Sequence, residues 1–212
     1  MDESQSTATI TTTEEESSVE NENEILPWSG DAKILAYGIA SLILFGISLL
    51  ITELPIGEVA LDVDLKPFFI PYILIAINRF GLSTMSIGLG AAIGEGVLDV
   101  YEGYELDDPI GFLGYFLGFT VFGWYLHEVA DDPTQLRSLT LGAALGAFVQ
   151  AVFEASAFLI FKSTAGSFDA VVSTVGNTIT HGLLLGAIPL LILVQSFPTL
   201  KSRISNSNRI RN

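Results

Sequence analysis

The segment GAAIGEGVLDVY at 90–101 places two carboxyl groups inside an apolar run. Glu95 and Asp99 are four residues apart, so a helix through this run carries both on one face. Acidic side chains are costly in an apolar interior and usually face a cavity or a partner group. The two residues are therefore candidate acceptors for a bound ligand.

The same spacing recurs in two other apolar stretches. Gln150 and Glu154 are four residues apart, and so are Asn177 and His181. Small-molecule sites combine apolar walls with a few placed polar groups, which fits these three pairs. Lys66 falls at the start of an apolar stretch, so we expect no buried Lys or Arg beside the acids. The set therefore favours a ligand that is cationic or rich in hydrogen-bond donors.

Some of these residues also have a purely structural interpretation. Glu95 could bond a neighbouring helix, Asp99 could be solvated at a helix end, and His181 could be a satisfied core histidine. A metal site built from Glu95, Glu154 and His181 would suit several divalent ions, because carboxylate and imidazole both bind them. No tight metal-ligand motif accompanies these residues, so we predict no metal site.

The sequence argues against several classes of function. It contains no G-x-S-x-G, no H-E-x-x-H and no Walker A loop, so we predict neither an enzyme nor a resident cofactor. The absence of cysteine excludes disulfides and thiolate metal sites. No basic patch is present that would bind nucleic acid.

The elements that must position these residues are long apolar segments. Half of the 212 residues are hydrophobic and only 16% are charged. The apolar residues form runs long enough to cross a hydrocarbon core of about 30 Å. We therefore predict an all-α integral membrane bundle of six transmembrane helices, at about 33–53, 66–80, 82–101, 110–127, 137–161 and 170–196. This domain, at 32–197, lies between a disordered acidic tail at 1–31 and a basic cytoplasmic tail at 198–212.

Lysine and arginine set the predicted orientation. With both termini cytoplasmic, seven of these residues lie inside and two outside, which satisfies the positive-inside rule in the cell membrane. The inner group is Lys33, Arg79, Arg137, Lys201, Arg203, Arg209 and Arg211, and the outer group is Lys66 and Lys162. In this orientation, all six candidate site residues fall in the outer half of the bilayer, as an outward-facing polar pocket requires.

Small residues at helical spacing mark predicted contacts between helices. The pairs Gly90/Gly94, Gly114/Gly118 and Gly142/Gly146 are typical of packing inside a bundle. Ala32, Ala36 and Ala40 form a strip along one face of the first span. This alanine strip is explained either by internal packing or by docking of a partner membrane protein.

The chain resembles the substrate-binding S component of energy-coupling factor (ECF) transporters over about residues 33–196. The matching features are the alanine strip and the segments KPFFIPYILIAINRFG, GLGAAIGEGVLD and HGLLLGAIP. The resemblance implies tight binding of a vitamin-like molecule, or less often a metal ion, near the outer face, beneath a loop at about 54–65. It also implies that the alanine strip docks on a membrane T component, which couples to two cytoplasmic ATPases. The metal-binding members carry an amino-terminal histidine that this chain lacks.

Two other classes of function remain open. The chain could be a stand-alone secondary carrier or cation channel that uses Glu95 and Glu154 as proton or cation sites. It could also be a non-catalytic membrane scaffold whose acids only lock the helices together.

Overall fold

The computed structural model of the protein describes residues 30–56, 65–105, 108–161 and 166–209. Throughout these ranges the regular structure is helical, as predicted. The predicted acidic tail lies outside the described residues up to position 29. Most of the predicted outer loop, at 57–64, also lies outside them, as do Lys162 and Arg211.

Eight α-helices and two π-helical segments follow one another along the described ranges. The first π-helical segment, Tyr125–Val129, directly follows Trp124, and the second, Thr178–Ala187, lies between Asn177 and Ile188. The α-helices are α1 Gly30–Ile56, α2 Phe69–Ala76, α3 Leu82–Glu102, α4 Asp108–Trp124, α5 Leu136–Phe161, α6 Ser167–Asn177, α7 Ile188–Ser196 and α8 Pro198–Arg209.

Four helical stretches in the described ranges are long and apolar enough to cross a membrane: Gly30–Thr52, Asp108–Val129, Leu136–Phe161 and Ser167–Ser196. These are the predicted first, fourth, fifth and sixth spans. The other two predicted spans do not meet this standard. Helix α3 has 21 residues and is about 31 Å long, but acids and small residues lower its hydropathy. Helix α2 has only eight residues, or about 12 Å.

The predicted second span differs most from the structure. Residues 65–67 are not helical and a turn at Phe68 leads into α2, although the sequence predicts a helix from Lys66. Helix α2 contacts α1, α3, α4, α7 and the second π-helical segment, so it lies at the centre of the bundle. Pro71, a residue that lacks a backbone donor, is tolerated in its first turn.

The remaining helices surround α2 in a simple order. Helix α3 lies between α1 and α4. Helix α5 lies between α4 and the last long helix, which is formed by α6, the second π-helical segment and α7. Helices α1 and α3 run parallel, because Ser86 bonds the carbonyl of Ile34 while Gly94 contacts Gly46 further along both helices. The predicted C-terminal tail continues as α8, whose Ile204 is buried.

The predicted glycine pairs lie at close contacts between helices. A Cβ on Gly90 would collide with the carbonyl of Gly38, so α1 and α3 meet almost backbone to backbone. A Cβ on Gly118 would lie 2.5 Å from the carbonyl oxygen of Gly146, across the α4–α5 contact. Internal packing through these small residues is confirmed.

An aromatic core fills the space around α2. Tyr72 stacks on Phe122 with ring centroids 4.1 Å apart, and its hydroxyl donates to the carbonyl of Ala143 at 2.9 Å. Phe45 of α1 and Phe119 of α4 meet edge to face. These contacts join α1, α2, α4 and α5. They therefore fix the positions of these helices relative to one another around the polar residues.

Candidate functional site

Glu95 lies at the centre of a buried ion pair. Lys66 Nζ is 2.5 Å from Glu95 Oε1, and the two residues are only 6% and 3% exposed. The Tyr115 hydroxyl accepts a hydrogen bond from Lys66 at 2.7 Å and donates one to Glu95 Oε1 at 3.0 Å. Glu95 Oε2 is buried and has no hydrogen-bond partner among the described residues. We call these three residues the charged centre.

A second polar group joins α5 to the last long helix. Glu154 Oε2 accepts hydrogen bonds from the side-chain amides of Gln150 at 2.7 Å and Asn177 at 3.3 Å. Asn177 also lies 3.5 Å from the Ser173 hydroxyl. His181 Nδ1 is 3.4 Å from Gln150 Oε1, a geometry in which Nδ1–H donates to the amide oxygen. We call these five residues the amide–carboxylate cluster.

The second π-helical segment positions His181. Close packing of Gly182 on Ala144 and Ala147 holds this segment against α5. In this segment, His181 faces Gln150 one turn below the Asn177–Glu154 contact. Short π-helical stretches often occur at functional positions in helices.

Phe68 joins the charged centre to the amide–carboxylate cluster. Its ring stacks on the His181 imidazole at 4.7 Å between centroids and meets Tyr115 edge to face at 5.9 Å. Lys66 and Phe68 belong to the same short segment, Leu65–Phe68. One buried zone therefore contains an ion pair, amides, a carboxylate, an imidazole and two aromatic rings.

The structure brings five of the six predicted site residues into this zone: Glu95, Gln150, Glu154, Asn177 and His181. The sixth, Asp99, is half-buried one turn beyond Glu95, towards the end of α3.

The alanine strip is half-buried on α1. At 100° per residue, Ala36 and Ala40 lie on the side of α1 opposite Gly38, away from the contact with α3.

The expectation that no lysine lies beside the acids is wrong, because Lys66 neutralises Glu95. Sequence reasoning also missed Phe68, and it placed Tyr115 only near the outer rim of the pocket rather than among the six site residues. The segment KPFF carried a signal, since a charged residue followed by proline and two aromatic residues is unusual at the start of an apolar span. The backbone at 65–67 is not helical and turns at Phe68, so the inward placement of Lys66 cannot be predicted from helical spacing.

The two ends of the bundle differ in charge. Asp99, Glu105, Asp108 and Asp169 lie at the end where α3 finishes and α4 and α6 begin. In the described ranges, every Lys and Arg except Lys66 lies at the opposite end, among them Lys33, Arg79 and Arg137. The candidate site is therefore nearer to the acidic end.

No group of three His, Asp or Glu side chains that could hold a metal ion occurs within the described ranges. Glu95 bonds Lys66 and Tyr115, while Glu154 and His181 belong to the amide–carboxylate cluster. Glu95 thus has different neighbours from Glu154 and His181, the other two residues considered for a metal site.

No family model matches this chain, and no curated protein or solved structure matches it either. Any functional interpretation therefore depends on the geometry of the charged centre and the amide–carboxylate cluster.

Proposed function

We propose that this protein is the substrate-binding S component of an ECF-type importer, which takes up a vitamin-like small molecule from outside. A metal ion is the less favoured substrate. The observation that supports this proposal is the single buried zone formed by the charged centre, Phe68 and the amide–carboxylate cluster. Burying this many polar groups costs free energy that apolar packing would avoid. A ligand site is a reason to retain them.

In this proposal the chain crosses the cell membrane six times, with α2 and α3 as the second and third crossings. Both termini are cytoplasmic, and the acidic end of the bundle faces outside. Helix α3 supports this arrangement, since its length matches the hydrocarbon core and its buried Thr84 and Glu95 lie inside the bundle rather than against lipid. The segment Leu65–Phe68 extends the short α2 towards the outer side.

Ligand binding is tested by native mass spectrometry of the purified protein released gently from detergent. We expect a reproducible added mass on the wild-type protein, because tight ligands persist through purification. Glu154→Gln removes the charge that the Gln150 and Asn177 amides bond, and it should lose the added mass. Ser138→Ala, on the same helix α5 but at its other end, should keep it. An added mass that persists in Glu154→Gln and Asn177→Ala would reject this site.

The alanine strip supplies the proposed docking surface for the T component. It lies on the side of α1 away from α3, so a partner helix would reach it without disturbing the bundle. Ala36→Leu should reduce co-purification with a T component and two cytoplasmic ATPases produced in the same cells. Leu35→Ile, at an exposed position about 100° around the same helix from Ala36, is the matched control. Equal capture of both variants would exclude docking through the strip.

The buried Lys66–Glu95 ion pair favours a second candidate, a stand-alone secondary carrier or cation channel. Intramembrane ion pairs occur along ion and proton pathways. This candidate predicts cation flux into vesicles that contain the protein alone, abolished by Glu95→Gln. The importer proposal predicts uptake only with the ATPases and ATP. If neither cation flux nor ATP-dependent uptake is found, and the variants only lower stability, the protein is a membrane scaffold whose polar residues hold the helices together.

A further inference from the structure

The charged centre has the chemistry of an ammonium-binding site. The Lys66 ammonium is held by a carboxylate at 2.5 Å and a phenol oxygen at 2.7 Å, and it lies 5.3 Å from the centroid of the Tyr115 ring. Carboxylates and aromatic rings are the two protein groups that attract ammonium ions most strongly. The site is thus complete for a primary amine, and a side chain of the same protein supplies that amine.

The segment that carries this lysine is not part of the helical framework. Lys66 lies in the non-helical part of Leu65–Phe68, whereas Glu95 and Tyr115 lie in the middle of long helices. A change in backbone torsions at 65–67 would withdraw Lys66 without breaking any helix. The acceptors would keep their positions on α3 and α4.

Two further observations favour a cation as the replacement. The buried Glu95 Oε2, which lacks a hydrogen-bond partner among the described residues, can accept an additional donor. The acidic end of the bundle, with Asp99, Glu105, Asp108 and Asp169, raises the local concentration of cations near the site. An anionic ligand would be repelled there and would leave Glu95 without a counter-ion.

We infer that the ligand of this protein carries an ammonium group, which binds Glu95 and Tyr115 in place of the Lys66 side chain. This inference rests on the proposed function, and it names the chemical class of the ligand. Lys66 then competes with the ligand, and it neutralises Glu95 whenever the site is empty.

Chemical complementation of Lys66→Ala tests the site directly. This variant lacks the three terminal carbons and the ammonium of the side chain, which propylammonium supplies. We expect propylammonium to raise the melting temperature of detergent-solubilised Lys66→Ala saturably, by several degrees, through preferential binding to the folded state. The neutral analogue 1-propanol should give no saturable shift. Lys66→Ala/Glu95→Gln and the exposed-site control Lys201→Ala should not respond to propylammonium.

Competition by Lys66 is measured with benzylammonium as the probe. We expect calorimetric titration to show binding at least tenfold tighter to Lys66→Met than to the wild-type protein, and no binding to Lys66→Met/Glu95→Gln. Lys66→Met keeps most of the side-chain volume, so it serves where Lys66→Ala fails to fold. Equal benzylammonium affinities for Lys66→Met and the wild type would overturn the inference.

Failure of this inference is distinguishable from failure of the proposed function. If a neutral or anionic molecule co-purifies with the wild-type protein and is lost in Glu154→Gln, the ligand class is wrong and the binding function stands. If propylammonium leaves a folded Lys66→Ala unchanged, the ammonium site is wrong. If an amine-containing molecule co-purifies with the wild-type protein and is lost in Glu95→Gln, both the binding function and the ligand class are supported.

Discussion

Lys66 and Glu95 show how strongly one residue depends on its partner in the interior. Removing one member of a buried ion pair leaves an uncompensated charge, which costs about 3–5 kcal/mol of stability. Removing both members removes the desolvation cost as well. The pair therefore has a testable energetic signature.

We predict that Glu95→Gln destabilises the protein by about 3–5 kcal/mol, while Lys66→Met/Glu95→Gln is closer to the wild type than Glu95→Gln alone. The measurement is a double-mutant cycle of unfolding free energies in detergent micelles. Lys201→Met, at an exposed lysine, should change stability by no more than about 0.5 kcal/mol. Additive effects of the two substitutions would show that the ion pair is not coupled.

Asp132 gives a pH-dependent prediction outside the membrane-spanning helices. The Thr134 backbone N–H donates to its Oδ1 at 2.8 Å, and this bond is the main reason that the pKa of Asp132 lies below its ordinary value of 3.8. Thr134 Oγ1 and the Lys201 charge act in the same direction, whereas burial opposes them. The folded state thus favours the carboxylate. Its contribution to stability is present above the ordinary pKa and is lost as the pH falls through the folded-state pKa.

We therefore expect Asp132→Asn to be less stable than the wild type at pH 7 by about 1 kcal/mol, the size of one charge-assisted bond over a neutral one. The difference should disappear on acidification through the range below pH 4. Thermal unfolding in detergent at several pH values measures it, with Asp131→Asn at the exposed neighbouring position as the control. A difference that does not vary with pH would mean that the Asp132 charge is not involved.

Sequence reasoning located the acids more reliably than the lysine. Glu95, Gln150 and Glu154 lie on the long α-helices α3 and α5, where counting residues gives both depth and face. Lys66 precedes a helix that begins three residues later than predicted. Its depth depends on the non-helical backbone at 65–67 and on the reach of a long side chain, neither of which follows from helical periodicity.

At the scale of elements, glycine sets the distance between α4 and α5. A Cβ on Gly118 would lie 2.5 Å from the Gly146 carbonyl oxygen and 3.1 Å from the Gln150 Cβ. The Gly146 carbonyl oxygen is part of the α5 backbone, so it cannot move aside as a flexible side chain can. The contact also determines where Gln150 lies relative to Tyr115, one turn along α4.

We predict that Gly118→Ala costs about 1–3 kcal/mol, as overpacking of a close contact does. Gly111→Ala on the same helix should be neutral or stabilising by up to about 1 kcal/mol, because no atom lies within 4 Å of its Cβ position. Unfolding free energies of both variants in the same detergent measure the difference. Similar values for the two variants would show that the helices separate at little cost.

The long apolar helices were predictable from the sequence, whereas the short α2 and the π-helical segments were not. Hydropathy locates the long apolar helices, since length and composition alone determine them. It cannot show that the second apolar stretch contains only eight helical residues, because Phe68 and Tyr72 would be equally buried in a longer helix. The π-helical segment around His181 also cannot be recognised from the spacing of apolar residues. Its close contacts are made by glycines, which would fit an α-helix equally well.

At the scale of the whole molecule, the arrangement of helices and charges predicts a membrane topology. Helices α1 and α3 run parallel, so an intervening segment must return across the bundle between them. Helix α2 with Leu65–Phe68 is that segment. The basic residues lie at the end where α1, α3 and α5 begin, so we predict from the positive-inside rule that this end is cytoplasmic.

Cysteine labelling tests this topology, and the chain lacks native cysteines that would interfere. Leu82→Cys and Tyr104→Cys flank α3, while Ser167→Cys and Ser202→Cys flank the last crossing. All four positions are exposed. On intact cells, a membrane-impermeant maleimide should label Tyr104→Cys and Ser167→Cys, and it should reach the other two only after permeabilisation. Labelling of Leu82→Cys and Tyr104→Cys from one side would show that α3 does not cross, and a complete reversal would place the acidic end and the charged centre towards the cytoplasm.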